Sequence, residues 1–204
     1  MITIVDYGLG NINAFVNVYD RLNIPTKVAK TSEDLVDAQK IILPGVGHFD
    51  YAMNRLNASG MRSQLEFLVI ERNTPIMGIC VGMQMLANDS DEGVEKGLGW
   101  IDGHVRKFDA SLIPYKTRLP HMGWNTMKKV KETPLLEGFD EEARFYFLHS
   151  YYFQCNNVND IISETEYGIK YASAVNRNNI YGIQFHPEKS HSNGINLLKN
   201  FALL

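Results

Sequence analysis

The sequence has 204 residues, 45% of them apolar and 21% charged, with a formal net charge of −3. That is enough chain for one domain with a continuous apolar core, and the slightly acidic balance argues against nucleic acid or an anionic membrane as the main partner. No apolar run approaches the roughly 20 residues of a spanning helix, and Met1-Ile2-Thr3-Ile4-Val5-Asp6 has neither the basic region nor the cleavage site of a signal peptide. Cys80 and Cys155 are expected as reduced thiols in a cytoplasmic protein.

In chain order, Ile2-Thr3-Ile4-Val5 reads as a buried strand, followed by a turn-rich Asp6-Tyr7-Gly8-Leu9-Gly10-Asn11. Ile12, Phe15, Val16, Tyr19 and Leu22 recur at helical spacing, and Pro25 stops that helix. Residues 26–29 form a second strand, and Ser32 with Glu33 and Asp34 looks like a helix start. Ile41-Ile42-Leu43 is a third strand running into Pro44-Gly45-Val46-Gly47. Residues 49–58 and 61–71 read as helices, residues 75–79 as a fourth strand ending at Cys80, and residues 83–87 as the opening of a helix.

The second half is richer in strands, with residues 97–108, 123–130, 145–155, 172–176 and 180–185 strand-like and residues 156–159 a loop. A last helix carries Ile195, Leu197, Leu198 and Phe201 on its apolar side. No linker or repeat divides the chain. One α/β domain over residues 1–204 is expected, with a mainly parallel sheet, helices on both faces and extra strands in the second half.

Gly78-Ile79-Cys80-Val81-Gly82 joins an apolar strand to a helix. It is the sulfur version of the Gly-x-Ser-x-Gly elbow. A sharp turn throws the side chain clear of the sheet, and flanking glycines remove the Cβ atoms that would clash. The helix that follows favours thiolate over thiol, and the Val81 N–H is placed to bond an oxyanion beside the sulfur. Cys155, in an aromatic strand, has no such setting and reads as structural.

A catalytic cysteine needs a base and a group that orients the base. Ile180-Tyr181-Gly182-Ile183-Gln184-Phe185 delivers His186 to a strand end, Pro187 turns the chain, and Glu188 follows close enough to reach the imidazole. His186, Glu188 and His191 also crowd as metal ligands would. However, Pro187 breaks the helical spacing of zinc motifs and no Cys-x-x-Cys accompanies them, so no metal and no cofactor is expected. Leu43-Pro44-Gly45-Val46-Gly47 is a second strand-to-helix turn that can face Cys80 from the same sheet edge, and its backbone N–H groups are candidates for the rest of an oxyanion hole. No phosphate-loop pattern is present in it.

Together these segments, with Gly97-Leu98-Gly99-Trp100, Pro120-His121-Met122-Gly123-Trp124-Asn125 and His149-Ser150-Tyr151, resemble the triad-type (class I) glutamine amidotransferases. The match runs over nearly the whole chain, most narrowly to the glutaminase subunits of imidazole glycerol phosphate synthases. The resemblance implies a three-layer fold, a Cys80–His186–Glu188 triad, and an oxyanion hole from Gly45, Val46, Gly47 and Val81. It implies that Gln84, Glu92, Ser150 and Tyr151 hold L-glutamine. It also implies a heterodimer in which ammonia passes to a (β/α)₈-barrel cyclase docked near Asn11, Trp124 and Lys189. Ile12 and Ala14 depart from the family's Leu and Ser after Gly-Asn. The segments 147–153 and 189–191 also resemble paralogues that supply ammonia for surface-sugar amidation. A cysteine peptidase and a catalytically silent binding subunit are the rival classes.

Overall fold

The structure, a computed structural model, describes residues 1–116 and 118–204. Aliphatic runs too short to make helices form its centre: Ile2–Val5 (β1), Thr26–Ala29 (β2), Ile41–Gly45 (β3) and Ile76–Cys80 (β4). Every residue of β1, β3 and β4 is buried, as strands of a parallel sheet covered on both faces must be. Between them lie helices Ile12–Arg21 (α1), Phe49–Ala58 (α2) and Arg62–Glu66 (α3). The turn Val81–Gln84 (α4) follows Cys80 directly.

The remaining strands are Asp89–Ser90 (β5), Gly103–Lys107 (β6), His121–Thr126 (β7), Lys128–Lys129 (β8), Arg144–His149 (β9), Tyr151–Cys155 (β10), Ile161–Tyr167 (β11), Ile169–Arg177 (β12) and Ile180–Ile183 (β13), before the closing helix His191–Leu203 (α5). The main sheet runs β2-β1-β3-β4-β13-β12-β10-β6-β5, with β11 alongside β12 and pairing in turn with β8. From β2 to β13 it is parallel; β12, β10 and β6 continue it antiparallel. A separate two-stranded sheet pairs β7 with β9. Helix α1 buries Phe15 and Tyr19, and the Tyr19 hydroxyl donates to the Leu198 carbonyl of α5 at 3.1 Å.

Two consequences of this topology position the site. Because β3, β4 and β13 are parallel neighbours, Gly45, Cys80 and the residues after Ile183 emerge at one sheet edge. Because Gly45 pairs with Cys80 and Ile183 with Ile79, the next step in register sets Gln184 beside Cys80.

Several expected elements differ. The helix expected from Ser32 is one 3₁₀ turn, Glu33–Leu35, because the Asp34 carboxylate accepts the Lys30 and Thr31 N–H groups at 2.9 and 3.1 Å and so favours a local turn. The helix expected over 61–71 is α3 followed by a π turn, Phe67–Glu71. The helix after Cys80 stops at Gln84. The Leu98, Trp100 and Gly99 N–H groups take the Met85, Leu86 and Ala87 carbonyls, so residues 97–100 cap this end and form no strand. The aromatic strand over 145–155 breaks at Ser150 into β9 and β10, which belong to different sheets. Strand β11, Ile-Ile-Ser-Glu-Thr-Glu-Tyr, was not expected: its buried Ser163 and Thr165 are polar, and each finds a partner only in the fold, on Ser173 and on the Thr126 carbonyl.

Candidate functional site

Cys80 sits between β4 and α4 with φ 56° and ψ −114°, a left-handed conformation that costs a non-glycine residue about 1–3 kcal/mol. The glycine after it is obligatory for a packing reason: a Cβ on Gly82 would collide with the Leu43 carbonyl oxygen of β3. The elbow therefore holds the sulfur at the sheet edge, 3.9 Å from the Leu148 carbonyl and 3.8 Å from Gln184 Nε2.

His186 reaches the same point from β13. Its N–H donates to the Tyr146 carbonyl at 2.8 Å, and Ser190 Oγ, which donates to the His186 carbonyl and accepts the Tyr146 N–H, fixes the turn that follows. The 3₁₀ turn Pro187–Lys189 brings Glu188 back, so that His186 Nδ1 lies 2.9 Å from Glu188 Oε1. A carboxylate only accepts, so Nδ1 carries the proton in this bond and Nε2 is left for the sulfur. Both side chains are nearly inaccessible, 6% and 4% exposed. Burial works against a charged imidazole. Hydrogen bonding to Cys80 and Glu188, with their charges, outweighs it and holds the His186 pKa up at about 10. Glu188 Oε2 has no partner among the described residues.

A cleft of about 320 Å³ opens over the sulfur, within the size range of small-molecule sites. Its walls contain Val46, Gly47, Val81, Gln84, Glu92, Ser150, Tyr151 and Lys189 beside Cys80 and His186. Gln84 donates from Nε2 to the Tyr151 carbonyl at 3.2 Å and to Gln184 Oε1 at 3.0 Å. Glu92 accepts the Phe49 N–H at 2.8 Å, which places a carboxylate at the start of α2. Gly47 has φ 88°, a conformation that favours glycine, and open space where a Cβ would lie. Of the expected oxyanion residues, Gly45 is the one that does not line the cleft; it packs on the Val81–Gly82 backbone behind it.

Of the three residues expected near a partner, Lys189 is at the cleft, with Nζ 5.8 Å from the Tyr146 ring centre. Trp124 is partly exposed on β7, stacked on His191 with ring centres 5.1 Å apart. Asn11, itself exposed, lies elsewhere on this edge at the start of α1, next to Gly10, which abuts Pro44. Cys155 is half-buried, and burial with the nearby Asp160 and Asp102 pushes its thiol up to about 12.

Three residues at the site escaped the sequence. Gln184 contacts the sulfur. His149 lines the cleft and bonds the Tyr151 carbonyl at 2.7 Å, and behind it His121 lies 3.2 Å from His149 Nε2. Burial drives the pKa of His149 down to about 3 and that of His121 to about 4. No sequence signal singles out Gln184, since β13 ends at Ile183 and the chain bends through Gln184 and Phe185 before His186.

The family model for class-I glutamine amidotransferases matches residues 3–204. The chain is 56% identical to the imidazole glycerol phosphate synthase subunit HisH of Bdellovibrio bacteriovorus over 99% of both chains. It is 50% identical to that subunit of Leptospira borgpetersenii over the whole of both, and 45% identical to subunit HisH 2 of Pseudomonas aeruginosa, again over both full lengths. Among solved structures, a glutamine amidotransferase superposes with a TM-score of 0.76 at 17% identity, covering 100% of this chain and 99% of that one. The PurLQS structure from Thermotoga maritima gives 0.72 at 19% identity, covering 98% and 96%.

Proposed function

Because this chain belongs to the class-I glutamine amidotransferase family, we propose that its cleft hydrolyses L-glutamine to glutamate and ammonia through a thioester on Cys80. The observation that carries the assignment of roles is the Cys80–His186–Glu188 arrangement, with Cys80 and His186 lining the cleft and Glu188 bonded to the imidazole. With His186 held protonated, Cys80 is paired with a cation and can attack as thiolate. The sulfur adds to the side-chain amide carbon of glutamine. The oxyanion is met by N–H groups of Val81 and the Val46–Gly47 peptide. His186 gives its proton to the leaving nitrogen, ammonia departs, and a glutamyl thioester remains. His186, now neutral, takes a proton from water, whose oxygen attacks the thioester and releases glutamate and the thiolate. Glu92 and the Gln84 carbonyl oxygen are suited to the ammonium group of glutamine, and the Ser150–Tyr151 backbone to its carboxylate.

The ammonia passes to a cyclase of (β/α)₈-barrel form, making this chain the glutaminase subunit of an imidazole glycerol phosphate synthase in histidine biosynthesis, in the cytoplasm. Ammonia released to water at neutral pH is mostly protonated, and the ammonium form is not nucleophilic, so coupling to an acceptor site is functionally sensible. Exposed apolar side chains beside the cleft support such docking: Leu148, which lines it, is 36% exposed, and on the neighbouring strand β7 Met122, paired with Leu148, is 60% and Trp124 39% exposed. The relatives' names favour this reading over sugar amidation. The test uses the complex with the cyclase. Cys80→Ser should abolish glutamine-dependent cyclisation while leaving cyclisation driven by added ammonium at high pH intact. Glutamine-dependent turnover that persists in Cys80→Ser would refute the nucleophile.

A further inference from the structure

Gln184 is wholly buried, yet the reaction outlined above uses no atom of it. A buried carboxamide must be bonded, and the bonds here determine which way it points. Gln84 Nε2 faces two oxygens that can only accept, the Tyr151 carbonyl at 3.2 Å and Gln184 Oε1 at 3.0 Å, so it is the nitrogen and spends both hydrogens there. Gln184 must then turn its own nitrogen toward Cys80, where Nε2 lies 3.8 Å from Sγ, hydrogen-bond range for sulfur. Reversing Gln184 would set an oxygen against the sulfur and a nitrogen against the Gln84 nitrogen. The chain Tyr151–Gln84–Gln184–Cys80 therefore has one self-consistent polarity, and it ends on the sulfur as a donor.

We infer that Gln184 is a catalytic residue of the amidotransferase site, donating a hydrogen bond that stabilises the Cys80 thiolate and ties it to the glutamine-binding wall. This inference rests on the role assigned to Cys80. The sulfur has two other neighbours of consequence. The Leu148 carbonyl accepts from the thiol at 3.9 Å and offers a thiolate nothing. His186 supplies the positive charge but must surrender its proton to the leaving group. The Gln184 N–H is a neutral donor that never leaves, so it stays with the sulfur through attack, thioester and release. Its backbone is set for this by the N–H bond to the Ser173 carbonyl at 2.9 Å, which continues the β12–β13 pairing one step to the sheet edge.

The experiment follows alkylation of Cys80 by iodoacetamide against pH in the full chain, with the labelled peptide identified by mass. The groups facing the sulfur that titrate or carry charge are His186 and Glu188 after β13, Tyr7 from the loop after β1, and Glu92, His149 and Lys189 around the cleft. All are retained in the variants. Gln184→Met keeps length and volume without the donor. It should raise the midpoint of the alkylation profile by about one pH unit, a loss of roughly tenfold in thiolate at a given pH, leave the high-pH limiting rate unchanged, and lower kcat for glutamine more than it alters KM. Gln184→Glu, which still accepts from Gln84 but sets a carboxylate against the sulfur, should raise it further. If either folded variant, judged by its circular dichroism melt, alkylates with the wild-type midpoint, the inference is wrong. Glutamine turnover lost with the midpoint unmoved would make Gln184 a packing residue only. A midpoint that moves while Cys80→Ser keeps glutamine turnover would leave the sulfur contact standing and remove the proposed reaction.

Discussion

Glu92 accepts the backbone N–H of Phe49 at 2.8 Å, so a carboxylate in the cleft wall is bonded to the first turn of the helix that begins just past Gly47. The reverse strap is Asp50, which accepts the Val94 and Glu95 N–H groups at 2.9 and 3.0 Å. The two loops hold each other, and neither carboxylate has to touch the sulfur to matter.

Asp50→Ala should therefore release the 90–95 segment and with it Glu92. Two lost bonds to a charged acceptor, partly replaced by water, are worth about 1–2 kcal/mol. KM for glutamine should rise about 5- to 30-fold with little change in kcat. Steady-state kinetics in the cyclase complex decide it, and an unchanged KM would mean that Glu92 is placed without this strap.

A diazo-ketone glutamine analogue should modify Cys80 once and spare Cys155. The two thiols differ in setting: Cys80 lies at the cleft beside a cationic imidazole, whereas Cys155 is held up at about 12 and remains a thiol at neutral pH. Peptide mass mapping after labelling reads the outcome, and a label on Cys155 with Cys80 untouched would overturn the assignment.

His186→Ala should lower glutaminase turnover by about 10³ or more, since both the thiolate and the leaving-group proton depend on the ring. Glu188→Gln should cost less, because an amide oxygen can still accept from Nδ1. Near-normal turnover in His186→Ala would remove the triad.

Stability should fall as the pH is lowered from 6.5 toward 4. His149 and His121 are held down to about 3 and 4 by burial, against the ordinary 6.5. In that window the unfolded chain binds protons on both rings and the folded chain does not. Each ring then contributes a loss of about 1.4 kcal/mol per pH unit. His186 acts in the other direction: with its pKa raised to about 10, its contribution is complete below 6.5 and is lost as pH rises through 10. Urea midpoints at pH 7 and 5 measure the acid limb, and His121→Gln should halve its slope whatever it does to stability at pH 7. A slope that is flat in the wild type would show that these rings are protonated in the fold.

Glutamate release by the free chain should be slow and rise about 10²–10³-fold in the complex with cyclase and its ligand, the amount one oxyanion donor is worth. Gly47, with φ 88° and no neighbour where a Cβ would lie, lets the Val46–Gly47 peptide turn at low cost. Full-speed turnover by the free chain, unchanged on adding the cyclase, would exclude gating there.

What the sequence determined by itself was local and covalent in spacing. Strand, glycine, cysteine and glycine in one run point to an elbow, and the proline between His186 and Glu188 allows the carboxylate to come back to the ring, as the structure places it. Buried aliphatic runs broken by helical patterns likewise imply parallel strands. What the sequence left open depended on partners far along the chain. The length of α4 was decided by carbonyls that residues 98–100 take over. The break of the aromatic run at Ser150 was decided by its two halves joining different sheets, and the polar strand β11 by bonds from its hydroxyls to Ser173, ten residues on, and to the Thr126 carbonyl, 39 residues back. Gln184 and His149 belong with these. A glutamine before a histidine, or a histidine before a serine, carries no chemistry in isolation. Only the parallel pairing of β13 with β4 places Gln184 against the sulfur, and only the packing of β7 on β9 buries His121 and His149 together. Burial and long-range bonds fix the polarity and charge of such groups, and neither is a property of neighbours in sequence.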